Sequence, residues 1–310
     1  EKGGWVLDQQ FMDQMGSPFL LAHGIGKPVQ DASTEVMIPK KGIWHVYART
    51  WNWCSPWKTK ESPGRFKIAV NGAVLDNELG MGTQWDWEYA GSVEIKDKSN
   101  IVTLKDLTGF EGRCDAILFA KDKNSVIPNR KEDLSVFRKQ LLNIPAKPED
   151  GGHYDLVVVG AGTAGLSTAI KGAQEGLKVA LINNRPVPGG NNSTEIRVVA
   201  SGEMNVKPYT ALGNVIREIR NVYSKEDQVI EMIQAEKTLS YFPNMHVFAA
   251  SKEGKQIKSV TAKHIENGKE VEFFSPLFVD CSGDGNLGYL AGAEYRVGRE
   301  MRQETKVPLY

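Results

Sequence analysis

The stretch Gly160-Ala161-Gly162-Thr163-Ala164-Gly165 constrains this chain more than any other. It follows the apolar run YDLVVVG and precedes TAGLSTAIKGAQEG, whose small and apolar residues recur at helical spacing. An unbroken apolar strand suits a parallel sheet buried on both faces. A second such strand, LKVALIN, completes a βαβ unit. In that setting each glycine has a task. Gly160 permits the tight turn, Gly162 lets backbone approach a pyrophosphate, and Gly165 lets helix and strand pack closely. A diphosphate would then sit on the helix N-terminus, where free N–H groups and the helix dipole favour an anion. Thr163 and Ala164 lie in the same turn and join the glycines as candidate contacts.

The ribose position at the end of the second strand, acidic in many such sites, is Asn183. Its side-chain oxygen still accepts a hydroxyl but carries no charge. Arg185 would suit the extra phosphate of NADP, which keeps a nicotinamide dinucleotide open at this point. The pair Gly189-Gly190 then follows at a spacing that resembles the extended fingerprint of flavoproteins with two dinucleotide-binding domains. VDCSGDG (279–285) resembles the second FAD strand of that family, with Ser282 and Gly283 in its triplet and Asp284 as the polar residue facing the cofactor. GGNNSTEIRV (189–198) is similar to a stretch in bacterial FAD-dependent oxidoreductases found beside polysaccharide-utilisation functions. Some of those relatives carry a xanthan-lyase label, but no residue set here supports lyase chemistry.

The resemblance implies FAD as cofactor. It places Asn183, Arg185, Gly189, Gly190, Asn191 and Asn192 around it, with the backbone of Val247 at the adenine and Glu195 and Arg197 near the isoalloxazine. It also implies oxidation of a sugar or glycoside by hydride transfer to flavin. The alternative is a glycan-binding module attached to an incomplete nucleotide fold; a nicotinamide-dependent dehydrogenase is third. Flavin disulfide reductases place two cysteines soon after the glycine pair, and residues 191–205 hold none, which excludes that subclass. The family's flavin domain normally continues past the position of Tyr310, so an incomplete domain is expected.

The other half has different habits. All seven tryptophans lie between Trp5 and Trp87. GIWHVYART alternates Trp44, Val46 and Ala48 against polar partners, and RFKIAVNGAVL carries the hairpin signal Asn71-Gly72. GWVLDQQFMDQMGSPFLLAHG resembles the sandwich that often precedes the flavin domain. The expected architecture is multidomain: an all-β sandwich over 1–122, a linker with a short amphipathic helix over 123–150, and an α/β Rossmann-like FAD-binding domain over 151–310. Asn129 is the expected helix cap, with Leu134, Phe137, Leu141 and Leu142 on one face. Trp51, Trp53 and Trp57 are expected on a strand face with Arg49, either as a platform for sugar rings or as core.

Composition narrows the partners. Lys+Arg and Asp+Glu are equal at 38 each, so no basic field recruits nucleic acid or an anionic membrane. No apolar run reaches the roughly 20 residues of a membrane span. Three scattered cysteines make neither a disulfide framework nor a metal cluster, so no metal is expected. The first residue is Glu1, so the chain is expected to be processed or cut from a longer one. The polysaccharide-linked relatives imply a periplasmic or extracellular location, with the cytoplasm as the alternative.

Overall fold

The computed structural model describes residues 1–57, 62–204 and 206–298 and divides into two compact units, Glu1–Ile144 and Pro145–Tyr310. In the first unit a five-stranded sheet runs β1-β2-β9-β4-β7, built from β1 (Trp5–Asp8), β2 (Phe19–His23), β4 (Gly42–Thr50), β7 (Asp86–Ile95) and β9 (Phe110–Ala120). A four-stranded sheet runs β3-β8-β5-β6, from β3 (Ala32–Met37), β5 (Phe66–Val70), β6 (Ala73–Val74) and β8 (Ser99–Asp106). Every pairing in both sheets is antiparallel. Alternation decides which side chains turn inward. Val46 and Ala48 of β4 meet Phe66, Ile68 and Val70 of β5 in one buried cluster that both sheets feed. Asn71 and Gly72 take φ of 49° and 82°, the left-handed pair that a two-residue hairpin needs. A single helical turn, α1 (Met12–Met15), interrupts a segment expected to lack helix.

The segment after β9 departs from the expected linker. Helix α2 (Lys131–Leu142) belongs to the first unit, and the division falls at Ile144/Pro145 rather than at 122 and 150. Asn129 does not cap it. Its Oδ1 accepts from Arg49 Nε at 2.9 Å and its Nδ2 donates to the Trp85 carbonyl at 2.9 Å, while Arg130 stands at the cap without a side-chain capping bond, its guanidinium paired instead with Asp133. Only Leu134 of the expected apolar face is buried; Leu141 and Leu142 are exposed. Polar ties to Arg49, Trp85 and Asp115 therefore supplement the single buried leucine.

In the second unit a parallel sheet runs β13-β12-β11-β17, from β11 (Leu156–Val159), β12 (Val179–Ile182), β13 (Leu239–Phe242) and β17 (Phe278–Asp280). Leu156 and Val158 face helices α3 (Thr163–Gln174), α4 (Thr210–Asn221) and α5 (Glu226–Ala235). Their neighbours Val157 and Val159 face a second sheet, ordered β10-β16-β15-β14. Its strands are β10 (Glu149–His153), β14 (Met245–Glu253), β15 (Gln256–His264) and β16 (Glu270–Phe274). Burial on both faces explains why β11 and β12 read as unbroken apolar runs. A short helix, α6 (Asn286–Leu290), follows β17. His153 sits on β10 with its ring stacked on Phe274, centroids 4.9 Å apart.

Candidate functional site

The glycine turn lies where β11 hands over to α3, between the ends of β12 and β17. Gly160 N–H donates to the Ile182 carbonyl at 2.7 Å, and Cys281 N–H donates to the Val159 carbonyl at 2.8 Å. At Gly160, with φ of +102°, a Cβ would meet the Cys281 carbonyl oxygen at 2.2 Å. At Gly165 a Cβ would meet the Gly160 carbonyl oxygen at 1.8 Å. These two positions are glycine because backbone already fills the space. Gly162 is the opposite case: a Cβ there would meet nothing within 4 Å. That gap lies beside the first turn of α3, where the N–H groups of Thr163, Ala164 and Gly165 have no carbonyl one turn back to bond. An anion fits there, with the dipole behind it.

The second glycine pair closes this turn from the side. Gly189 N–H donates to the Ala161 carbonyl at 2.7 Å, and Gly162 and Gly189 form a parallel bridge. Both pair members have positive φ, and a Cβ on Gly190 would stand 3.0 Å from Gly162 Cα. The family resemblance implies that the pair lies near the cofactor; the structure adds that it packs on the first glycine turn itself.

The remaining expected residues divide into those that border this turn and those that turn away. Asn183 directly follows β12, is 5% exposed, and donates from Nδ2 to the carbonyls of Arg185 (3.0 Å) and Val187 (2.9 Å). Arg185 pairs with Glu195 at 2.7 Å, a half-exposed bond that ties the two sides of the glycine-pair loop. Asn191 is exposed and accepts from Val198 N–H, whereas Asn192 is buried. The Asn192 side chain reaches the Ile219 carbonyl (3.4 Å) and the Ala200 N–H (3.3 Å), so it anchors α4 rather than facing the gap. Arg197 has φ of +61° and donates from Nε to the Thr194 carbonyl at 3.2 Å. Val247 is 2% exposed on β14, an edge strand, and its carbonyl accepts from Asn286 Nδ2 at 2.8 Å.

After β17 the work falls on a residue the sequence reading passed over. Asp280 Oδ1 accepts from Ser282 N–H (3.0 Å) and Ser282 Oγ (2.6 Å), and Oδ2 accepts from Gly288 N–H (2.9 Å). Ser282 Oγ in turn accepts from Asn286 N–H at 2.9 Å, so serine and carboxylate shape the entry to α6. Gly283 and Asp284 lie exposed on the loop that this network sets. Asp two residues before a Ser-Gly turn was the available signal. Although burial alone would raise it, hydrogen bonds from Ser282, Gly288 and Leu287 hold the Asp280 carboxyl below its ordinary value. A depressed folded-state pKa gives stability that is present above the unfolded value, about 3.9, and is lost as pH falls through the folded one. Asp280→Asn is therefore expected to melt below the parent at pH 7, with the difference closing as pH drops below about 4. A difference that stays constant down to acid pH would count against this network. Burial also pushes up the thiol of Cys281, which packs beside the glycine turn.

Trp51, Trp53 and Trp57 do not share a strand face with Arg49, because β4 ends at Thr50. Trp51 Nε1 donates to Ser55 Oγ (3.0 Å) and the Thr83 carbonyl (3.2 Å). Trp53 stacks on Phe110 at 5.8 Å, and the Arg113 guanidinium stands 5.3 Å from the Trp51 ring and 5.9 Å from the Trp53 ring. Trp57 is 69% exposed. A cleft of about 430 Å³ opens instead beside Phe11, Trp51 and Trp85, with Arg49, Thr83 and Gln84 as its polar lining. Among the described residues no cluster of His, Cys, Asp and Glu is arranged for a metal, and no helix is long and apolar enough to cross a membrane.

Comparison with known proteins gives this geometry its context. The curated relatives include the soluble pyridine nucleotide transhydrogenase of Ectopseudomonas mendocina (strain ymp), 30% identical over 128 residues, covering 41% of this chain and 25% of that protein. The NADH:fumarate oxidoreductase of Klebsiella pneumoniae (strain 342) is 29% identical over 159 residues, covering 47% of this chain and 16% of that one. The chain thus spans a quarter or less of the length of these two relatives. Among solved structures, L-proline dehydrogenase from P. horikoshii aligns with a TM-score of 0.32 at 14% identity, over 70% of this chain and 30% of that one. A geranylgeranyl bacteriochlorophyll reductase-like protein from Thermoplasma acidophilum gives 0.37 at 15% identity, over 48% and 43%. Residues 155–309, half of the sequence, match the family model described as FAD dependent oxidoreductase, and this chain belongs to that family.

Proposed function

We propose that the second unit holds FAD for oxidation of a sugar or glycoside, and that the first unit is a β-sandwich that engages the glycan. The observation that carries the cofactor reading is the open space over Gly162 at the start of α3, walled by the second glycine pair. Bound FAD supplies the two-electron acceptor for a hydride leaving a substrate C–H bond. The chain's own part is binding and orientation. N–H groups of the first turn of α3 hold the pyrophosphate, and the Arg185–Glu195 pair fixes the loop beside it. The family assignment supports FAD; the sugar rests on resemblance and on the aromatic cleft of the first unit.

That cleft favours the second reading, a glycan-binding module joined to a nucleotide fold. Flat rings with a polar rim suit the apolar face and hydroxyl edge of a pyranose. An absorption spectrum after FAD loading and desalting separates the two readings. A retained flavin band that bleaches anaerobically with a sugar or glycoside is the expected result for the oxidoreductase. No retained flavin, in this chain or in a longer one, together with sugar affinity in residues 1–144, would leave the binding module.

A further inference from the structure

Asn183 occupies the ribose position with an amide whose orientation is fixed. Its Nδ2 points at two backbone carbonyls, Arg185 at 3.0 Å and Val187 at 2.9 Å, and at the Tyr241 hydroxyl at 3.1 Å. Turning the amide over would set Oδ1 against those two carbonyls, acceptor against acceptor. The amide therefore clamps the loop that carries Arg185 and the glycine pair. Its Oδ1 accepts nothing from the described residues and is not sealed from solvent. The Tyr241 oxygen accepts from Asn183, which leaves its own O–H to donate elsewhere.

We infer that a neutral pair reads the adenosine ribose of FAD here, with Asn183 Oδ1 as acceptor and the Tyr241 hydroxyl as donor, and that this loop excludes a carboxylate at 183. The inference rests on FAD as the cofactor. A ribose diol both donates and accepts, so one acceptor and one donor satisfy it as two acceptors would. An aspartate at 183 would face the Arg185 and Val187 carbonyls with no proton to share. Arg185, the cation closest in sequence, is already held by Glu195. Burial pushes the Tyr241 phenol up to about 12, so it stays a donor across the neutral range.

The test separates clamp from ribose contact. Apo Asn183→Asp is expected to melt about 5 °C or more below the parent at pH 8. The gap should narrow towards pH 5, because a protonated acid can donate to the carbonyls while its anion cannot. Tyr241→Phe is expected to keep the apo melting temperature within about 2 °C. It should weaken FAD and ADP roughly three- to tenfold, the worth of one neutral hydrogen bond, and leave FMN, which lacks the adenosine, unchanged. An Asn183→Asp protein that melts like the parent at pH 8, or binds ADP more tightly, overturns the clamp. Tyr241→Phe with parental ADP affinity overturns the donor. A parent that binds neither FAD nor ADP counts against the flavin site, and the apo melting series still decides the clamp. Should Asn183→Asp not fold, Tyr241→Phe and the ADP-to-FMN comparison decide the ribose contact.

Discussion

Gly162→Ala is expected to leave the apo protein folded and to abolish flavin retention, whereas Gly165→Ala is expected to damage the fold itself. At Gly162 the backbone is extended, with φ of −71° and ψ of −178°, a conformation alanine adopts freely. The new methyl would meet no protein atom within 4 Å, so the apo cost is the small difference between caps, within about 1 kcal/mol. It would stand where the pyrophosphate must approach, so a loss of affinity of about a hundredfold is expected, roughly 2.7 kcal/mol. At Gly165 the methyl would lie 1.8 Å from the Gly160 carbonyl oxygen and 3.2 Å from Cys281 Cβ. Relief requires α3 to move away from β11 and β17, at about 1–3 kcal/mol of overpacking strain. Apo melting and FAD titration of the two variants should therefore give opposite orderings. Gly162→Ala retaining parental FAD affinity would place the phosphate elsewhere. Gly165→Ala melting like the parent would show that the close helix–strand contact carries no strain.

What was legible in the sequence follows from which constraints are local. Gly160 and Gly165 announce themselves because the space a side chain would need is already taken by neighbouring backbone, and only one residue type answers that. The β11 and β12 runs are legible for a similar reason: strands buried on both faces leave no position polar. Asn129 misled because a residue suited to capping was drawn instead to Arg49, distant in sequence, which pattern reading of a helix cannot see. The strand face shared with Arg49 failed likewise. Trp51 and Trp53 had the right spacing for a strand, but β4 stops at Thr50 and Arg113 supplies the cation their faces take up. Asp280 was passed over because its role depends on the turn that follows it, to which only the Ser-Gly pair two residues on gives a clue. The site's glycines were thus readable one residue at a time, and its polar residues were not.

Asp115→Ala is expected to be the most destabilising single change in the first unit. The side chain is fully buried on β9 and accepts from Arg49 Nη1 at 2.9 Å, from Ser17 Oγ at 2.7 Å, and from Arg138 of α2. It joins two strands, the residues before β2 and the final helix. Removing one partner of a buried ion pair costs about 3–5 kcal/mol, because the other charge is left without compensation. The damage should come through Arg49, whose side chain is 4% exposed, while Arg138, at 21%, can turn towards water. A loss of this size lowers the melting temperature of the unit by roughly 10 °C. All seven tryptophans lie in this unit, so their fluorescence reports its unfolding, and retained flavin reports the other unit. The pair of changes Arg49→Met and Asp115→Leu should recover part of the loss, since it leaves no uncompensated charge at position 49, while Ser17, Asn129 and Arg138 still lose their partners. If Asp115→Ala costs under about 1 kcal/mol, water reaches the pair and α2 is held by Leu134 and Asn129 instead.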